Sequence, residues 1–343
     1  MGTPPARLLE VRLPTDREED LARRFTVTQH YLHHLRIWLE EQYGRGSDLY
    51  SGVGGAVTRW PAYGRIKRRP ADLDAIQEAL RIAWMSEIQL HFPGTLGSIP
   101  AIRYSNAWAP VHAYYAVYMG LQAWLTANGI PTDNHAAALA SIANQIEQRR
   151  LFPPPWSLLC TGSPLSGERR FLNELPGTNC AEHIEVLSIP ISLGGNAQIG
   201  FWPRLGTWLR TTREARLKAR EREWKDKEGR KRMDGQVRRR FAANLAPTSL
   251  FDCLWRLRIR SNYQSVEPYL VPSIPDQDVR LFYGGLVVVT RATLALLELY
   301  VARAIGAPQY VSLAEDFLRS DEHGISRDTL GARLDALASV LKR

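Results

Sequence analysis

Hydrophobic residues in this chain return mostly at three- and four-residue intervals, a pattern that predicts helices rather than strands. Asp16, followed by Arg17, Glu18, Glu19 and Asp20, supplies an N-cap and an acidic first turn; Leu21, Phe25, Leu32, Leu35 and Leu39 then recur at helical spacing, predicting a helix over about 17–43. Asp72 caps a second helix with Leu73, Ile76, Leu80, Ala83, Trp84, Ile88 and Leu90 on its apolar side, and Pro93 stops it. Between them Gly44 to Pro70 holds six glycines and two prolines and reads as a long loop or a small irregular element. Further on, Val111, Tyr114, Tyr115, Tyr118, Leu121 and Leu125 fall on one stripe, while Ala113, Ala116, Gly120, Ala123 and Ala127 form a second stripe of small residues. A helix apolar on two faces, one of them open to close approach, belongs at the centre of a bundle. Asn128-Gly129 and Pro131 end it, Thr132 or Asp133 caps its successor, and Ala137 to Ile146 keeps the apolar spacing.

From Leu151 to Trp208 the periodicity fails: three prolines at Pro153 to Pro155, repeated glycines, and one β-like run, His183 to Ile191, that Pro190 confines to an edge. Helices resume at Pro247-Thr248-Ser249, through Tyr263, and at Pro275-Asp276, through Ala304 with a kink expected at Gly284-Gly285. The closing pair carries Leu330, Leu334, Leu337 and Leu341 in register; with Arg327 and Arg333 only at the stripe's borders and Lys342 further round, it predicts a packing hairpin rather than a DNA-reading helix-turn-helix. The expected fold class is mainly α, an antiparallel bundle with an irregular basic insertion and a short edge strand. The expected segments are 1–70, 71–150, 151–244 (the insertion), 245–306 and 307–343.

Composition adds three points. The most apolar window, Gly284 to Ala304, carries Arg291, Glu298 and Arg303, costly at a bilayer centre, and is expected to be a buried core helix. Cys160, Cys180 and Cys253 are few, odd in number and lack metal-ligand spacing, so neither a disulfide framework nor a metal site is expected, and no cofactor. No apolar run follows the first basic residue, which with the cysteines gives a cytoplasmic expectation.

Charge changes the picture more. Of a formal +9, the segment Arg210 to Arg240 supplies fourteen Lys or Arg against six Asp or Glu, a net of +8. Glu214 with Lys218, Glu221 with Lys225 and Glu223 with Lys227 stand four apart in the order that supports a helix by about 0.2–0.5 kcal/mol each. Leu217 and Trp224 are nearly alone as apolar positions, so this helix meets solvent or a partner. A solvated helical insertion is one reading. The other is a nucleic-acid contact, with an acidic protein surface second: Arg outnumbers Lys ten to four, and guanidinium forks match phosphate oxygens. The residues it names are Arg213, Arg216, Lys218, Arg220, Arg230, Lys231, Arg232, Arg238, Arg239 and Arg240.

His112 to Gly129, HAYYAVYMGLQAWLTANG, resembles the signature of HEPN-type helical domains, in which a Tyr-Tyr-Ala pair opens a central helix of small and aromatic residues. Leu254 to Leu270 resembles the later helix of that family, a Leu-x-x-Leu-Arg stretch followed by a small residue, a polar residue and Tyr; His135 falls where many such domains carry a His. The resemblance covers about 104–150 and 248–304. It implies a compact bundle, commonly dimeric, of the kind found in prokaryotic toxin, antiphage-defence and RNA-processing proteins. Active members are expected to cut RNA without a metal, using an Arg, four to six residues and a His. Imidazole can move the 2′-hydroxyl proton near neutral pH while Arg stabilises the phosphate.

This chain departs from that spacing. Arg103 and His112 are separated by eight residues, and no His follows Arg260 within reach; only His30 has Arg24, or Arg23, at the right distance. The residues carried forward as catalytic candidates are His30, Arg24, His112 and Arg260. Arg260 with Tyr263 is expected on an accessible face and Arg258 half-buried. The expectation is a nucleic-acid-associated, HEPN-like subunit of a defence or toxin system, binding RNA or a protein partner without catalysis, with a metal-independent endoribonuclease as the alternative.

Overall fold

In the computed structural model, which describes residues 16–165, 170–172, 201–264, 267–322 and 324–341, the protein is mainly helical. The elements run α1 (Asp16–Tyr43), α2 (Asp48–Arg59), α3 (Pro61–Gly64), α4 (Leu73–Thr95), α5 (Ile99–Ser105), α6 (Ala109–Ala127) and α7 (His135–Arg149). Then come β1 (Leu159–Thr161), β2 (Arg170–Leu172), α8 (Phe201–Glu228), α9 (Gly235–Ala243), β3 (Thr248–Ser249) and α10 (Leu250–Ile259). A π-helical turn, Arg260–Gln264, leads to α11 (Glu267–Leu270), α12 (Asp276–Ile305), α13 (Ala307–Ser320), a 3-10 turn (Ile325–Asp328) and α14 (Leu330–Leu341). The expected edge strand at His183 to Ile191 lies outside the described residues.

α6 is the centre. It packs against α4, α10 and α12, and Gly120 explains one approach: a Cβ there would lie 3.1 Å from Leu294 and 3.3 Å from Leu297. α12, the one described helix long and apolar enough to cross a membrane, has 83% of its apolar window buried inside the protein. Its two mid-helix glycines serve contact: α12 runs unbroken from Asp276 to Ile305, and Gly285 lets α1 approach until a Cβ would stand 3.2 Å from Leu32. One buried cluster takes residues from all five expected segments, among them Phe25, Leu80, Phe152, Leu257 and Leu337.

Three local expectations are corrected. Gly44 to Pro70 is not a long loop, because Leu49, Tyr50, Val53 and Val57 bury one face of α2. One of its glycines is demanded by a neighbour: a Cβ on Gly52 would sit 1.9 Å from the Tyr43 carbonyl oxygen, while one on Gly54 would press on the Leu337 side chain at 2.9 Å. Pro93 does not stop α4, which continues to Thr95. The Tyr283 hydroxyl bridges this turn, donating to the Leu90 carbonyl at 2.6 Å and accepting from the Gly94 amide at 3.0 Å, so these backbone groups next to the proline are partnered. Asn134, rather than Thr132 or Asp133, caps α7, its side chain accepting from the Ala137 amide.

The closing hairpin packs, and its arginine is deeper than its border position suggests. Arg333 is fully buried, donating to both oxygens of Glu87 at 2.7 and 2.9 Å and to both of Glu298 at 2.9 and 2.8 Å. Trp84 and Tyr310 add hydrogen bonds to Glu298. One cation thus ties α14 to α4 and α12.

Candidate nucleic-acid interface

The basic segment folds as α8, a loop and α9, a hairpin held partly by Arg238 against Glu221 at 2.5 Å. Its near end is fixed to the bundle by two arginines expected to bind phosphate. Arg213 is 2% exposed, donating to the carbonyls of Gly162, Leu245 and Ala246; burial lowers its pKa to about 10. Arg216 donates to the Pro247 carbonyl and the Thr248 hydroxyl and stands 3.2 Å from Asp252, the carboxylate that completes the Ser249 capping box of α10. Arg213 is therefore corrected: its donors are spent clamping the backbone that follows β1 to the backbone that precedes β3, away from a ligand. Lys218, Arg220, Arg230, Lys231, Arg232, Arg238, Arg239 and Arg240 are exposed.

Beside the clamp, α8 and α10 form a cleft of about 520 Å³ lined by Lys218, Arg222, Arg256, Arg260 and Trp255, with Glu214 and Glu223 at its wall. Arg256 is anchored on the hydroxyls of Thr211 and Thr212 at 2.9 and 3.2 Å; burial, then the neighbouring Arg260, lowers its pKa to about 10. Two guanidiniums close enough to repel form a place where an anion is stabilising. A second cleft, about 390 Å³, lies between α1 and α11 and is lined by Arg23, Arg24, Phe25, Arg260 and Tyr269. Arg260 lines both, so its side chain borders the two clefts. Two catalytic candidates, Arg24 and Arg260, are thereby brought together.

His30 is not with them. Six residues turn a helix by about 240° beyond one full turn, so Arg24 and His30 face apart. Arg24 is exposed and pairs with Asp20 at 2.7 Å, whereas His30 is 3% exposed with its carbonyl taking the His34 Nδ1 proton. The spaced Arg–His pair is an accident of sequence and is corrected. His112 is half-buried near the start of α6; burial alone pushes its pKa down, with no charged neighbour contributing. Arg103, its neighbour in sequence, is held by the carbonyls of Val271 and Ile274 and by Asp276.

A different histidine does meet an arginine. His135, the first residue of α7, lies 2.8 Å through Nδ1 from the Tyr114 hydroxyl, with the Tyr118 ring centroid 4.2 Å from its own. The Arg258 guanidinium covers the rings of Tyr114 and Tyr115 at 5.6 and 5.2 Å and donates to the Tyr115 hydroxyl at 3.1 Å. Burial, and then Arg258, lower the His135 pKa, so the ring is neutral at pH 7. Burial raises the Tyr114 pKa, keeping the phenol protonated. The bond runs in one of two senses, and only Nδ1–H donating to the phenol oxygen leaves Nε2 a lone pair for taking up a proton. Position in sequence had marked His135 and Arg258 separately; their meeting needed the packing of α6, α7 and α10. Trp255 and Arg222 carried no signal beyond lying on charged helix faces. Among the described residues no group of His, Cys, Asp and Glu is placed to hold a metal ion. No protein-family model, curated protein or solved structure matches the chain.

Proposed function

We propose that the protein binds nucleic acid, RNA in the first instance, as a non-catalytic binding or regulatory subunit of a prokaryotic defence or toxin system. The observation that carries the binding is the single arginine, Arg260, shared by two cation-lined clefts, beside a hairpin that holds nearly all the excess positive charge of the chain. Phosphates in the first cleft would meet Arg222 and Arg260, and in the second Arg23, Arg24 and the same Arg260, each charge-assisted contact contributing about 1.5–3 kcal/mol where it is shielded from water. The defence context rests on the HEPN-like resemblance of α6 and α10 alone. Fluorescence anisotropy with labelled RNA should show the Arg222→Ala/Arg260→Ala double variant binding at least about tenfold more weakly at an unchanged melting temperature. Equal affinity in that variant would remove the groove from the argument.

A second reading, a metal-independent endoribonuclease, is favoured by the His135, Tyr114 and Arg258 cluster. A neutral imidazole beside a guanidinium suits removal of a 2′-hydroxyl proton and stabilisation of phosphate charge. Incubation of the protein with a mixed RNA pool in chelator decides between the two. Cleavage that His135→Ala abolishes, while His30→Ala and His112→Ala leave it, assigns the activity to this cluster; RNA left whole under conditions where it is bound leaves the first reading.

A further inference from the structure

The cleft between α8 and α10 that Arg260 borders contains a flat aromatic as well as cations. Trp255 sits on α10 between Leu254, which is buried, and Arg256, which is fixed on two threonine hydroxyls; its indole is half-buried, packs partly on the core and lines the cleft between α8 and α10. Arg222 and Lys218 stand across from it on α8, both exposed and with no carboxylate partner among the described residues. A recessed aromatic beside guanidiniums can accept the face of a base while the cations take the flanking phosphates. A base inside a duplex is stacked on both faces and cannot be offered to it, and the deep major groove of an RNA helix is closed to side chains.

Taking as given that the groove binds nucleic acid, we infer that its ligand is a single strand, one base of which stacks on Trp255 between phosphates held by Arg222 and Arg260. Readout of sequence is then weak, because every base has a π-face and the lining cations see only phosphate. Arg256 is a positioning residue in this arrangement: its donors are partly engaged by Thr211 and Thr212, and its charge raises the local attraction for the strand.

The experiment compares a labelled 12-nucleotide RNA of mixed sequence with the same strand annealed to its complement, titrated with full-length protein at several salt concentrations. The single strand is expected to bind at least about tenfold more tightly than the duplex. Trp255→Ala should weaken single-strand binding about tenfold and leave the salt slope unchanged, since stacking releases no counterions, while Trp255→Phe keeps most of the affinity. Tryptophan emission gives a second readout: the quench on RNA binding in the native protein should be reduced in Trp255→Phe, which preserves the packing. A duplex that binds as well as the single strand, or a Trp255→Phe variant with an unaltered quench, overturns the stacking inference and leaves the proposed binding in place. Failure of both strands to bind overturns that proposal itself.

Discussion

Arg333 and Arg239 are the same residue type in helical segments, yet they do opposite work. Arg333 is fully buried between two carboxylates, while Arg239 is exposed with no ion pair among the described residues. Replacing Arg333 by Met would leave Glu87 and Glu298, 2% and 0% exposed, without their cation, at a cost of about 3–5 kcal/mol in urea unfolding; Arg239→Ala should shift stability by no more than about 0.5 kcal/mol. Neither burial was legible in the sequence, because charge patterning reports only that an arginine exists, and burial depends on what the other helices bring to it. Arg213 was misassigned for that reason, its guanidinium being consumed by carbonyls more than thirty residues away in sequence. Protonation belongs to the same scale. His91, His112 and His135 are each held below the ordinary value of 6.5, chiefly by burial. The unfolded chain therefore takes up these protons first, so their contribution to stability is complete above about pH 6.5 and is lost as pH falls through the lowered native values. The melting temperature should drop as the pH falls below about 6.5, and His112→Gln, which removes one of the three groups, should make that drop smaller.

At the scale of elements, the long helices were legible because their apolar stripes are long. α1 and α12 begin within a residue of their expected starts, and Asp72 caps α4 through the Ala75 amide as its sequence suggests. α2 was not legible: glycine lowers helix propensity by about 1 kcal/mol relative to alanine, so three of them in twelve residues look like a loop. The structure gives the compensating reason, which is that α2 meets the end of α1 at a distance that excludes a Cβ on Gly52 and packs on α14 with little room beside Gly54. Propensity and packing can be separated by experiment. Gly52→Ala should cost about 1–3 kcal/mol despite the better helix former, because its Cβ would fall 1.9 Å from the Tyr43 carbonyl oxygen. Gly64→Ala, with nothing within 4 Å of the added carbon, should be neutral or stabilise by up to about 1 kcal/mol. Equal effects of the two substitutions in thermal melts would remove the close crossing as the explanation for the glycines.

Across the whole molecule, charge and fold are divided between different parts of the chain. The bundle around α6 holds the buried ion network and the His135 cluster, whereas the α8–α9 hairpin holds the surplus of positive charge. The five cations Arg230, Lys231, Arg232, Arg239 and Arg240 are all exposed, and no ion pair among the described residues involves them. Changing all five to Gln lowers the formal charge from +9 to +4 and touches no buried contact, so the melting temperature should stay where it is. Binding should respond through counterion release instead. For a single strand each lost phosphate contact reduces the slope of log K against log salt by about 0.7, so the variant's slope should be shallower by that amount for every one of the five that meets the backbone. At low salt the loss of affinity should be large; toward high salt the native protein and the variant should converge, because screening removes what the hairpin contributes while the contacts of the Arg260 clefts, weakened equally in both, are common to the two proteins. Parallel lines for the two proteins would mean that the hairpin charges serve solubility and that the path of the strand is confined to the groove between α8, α10 and α1.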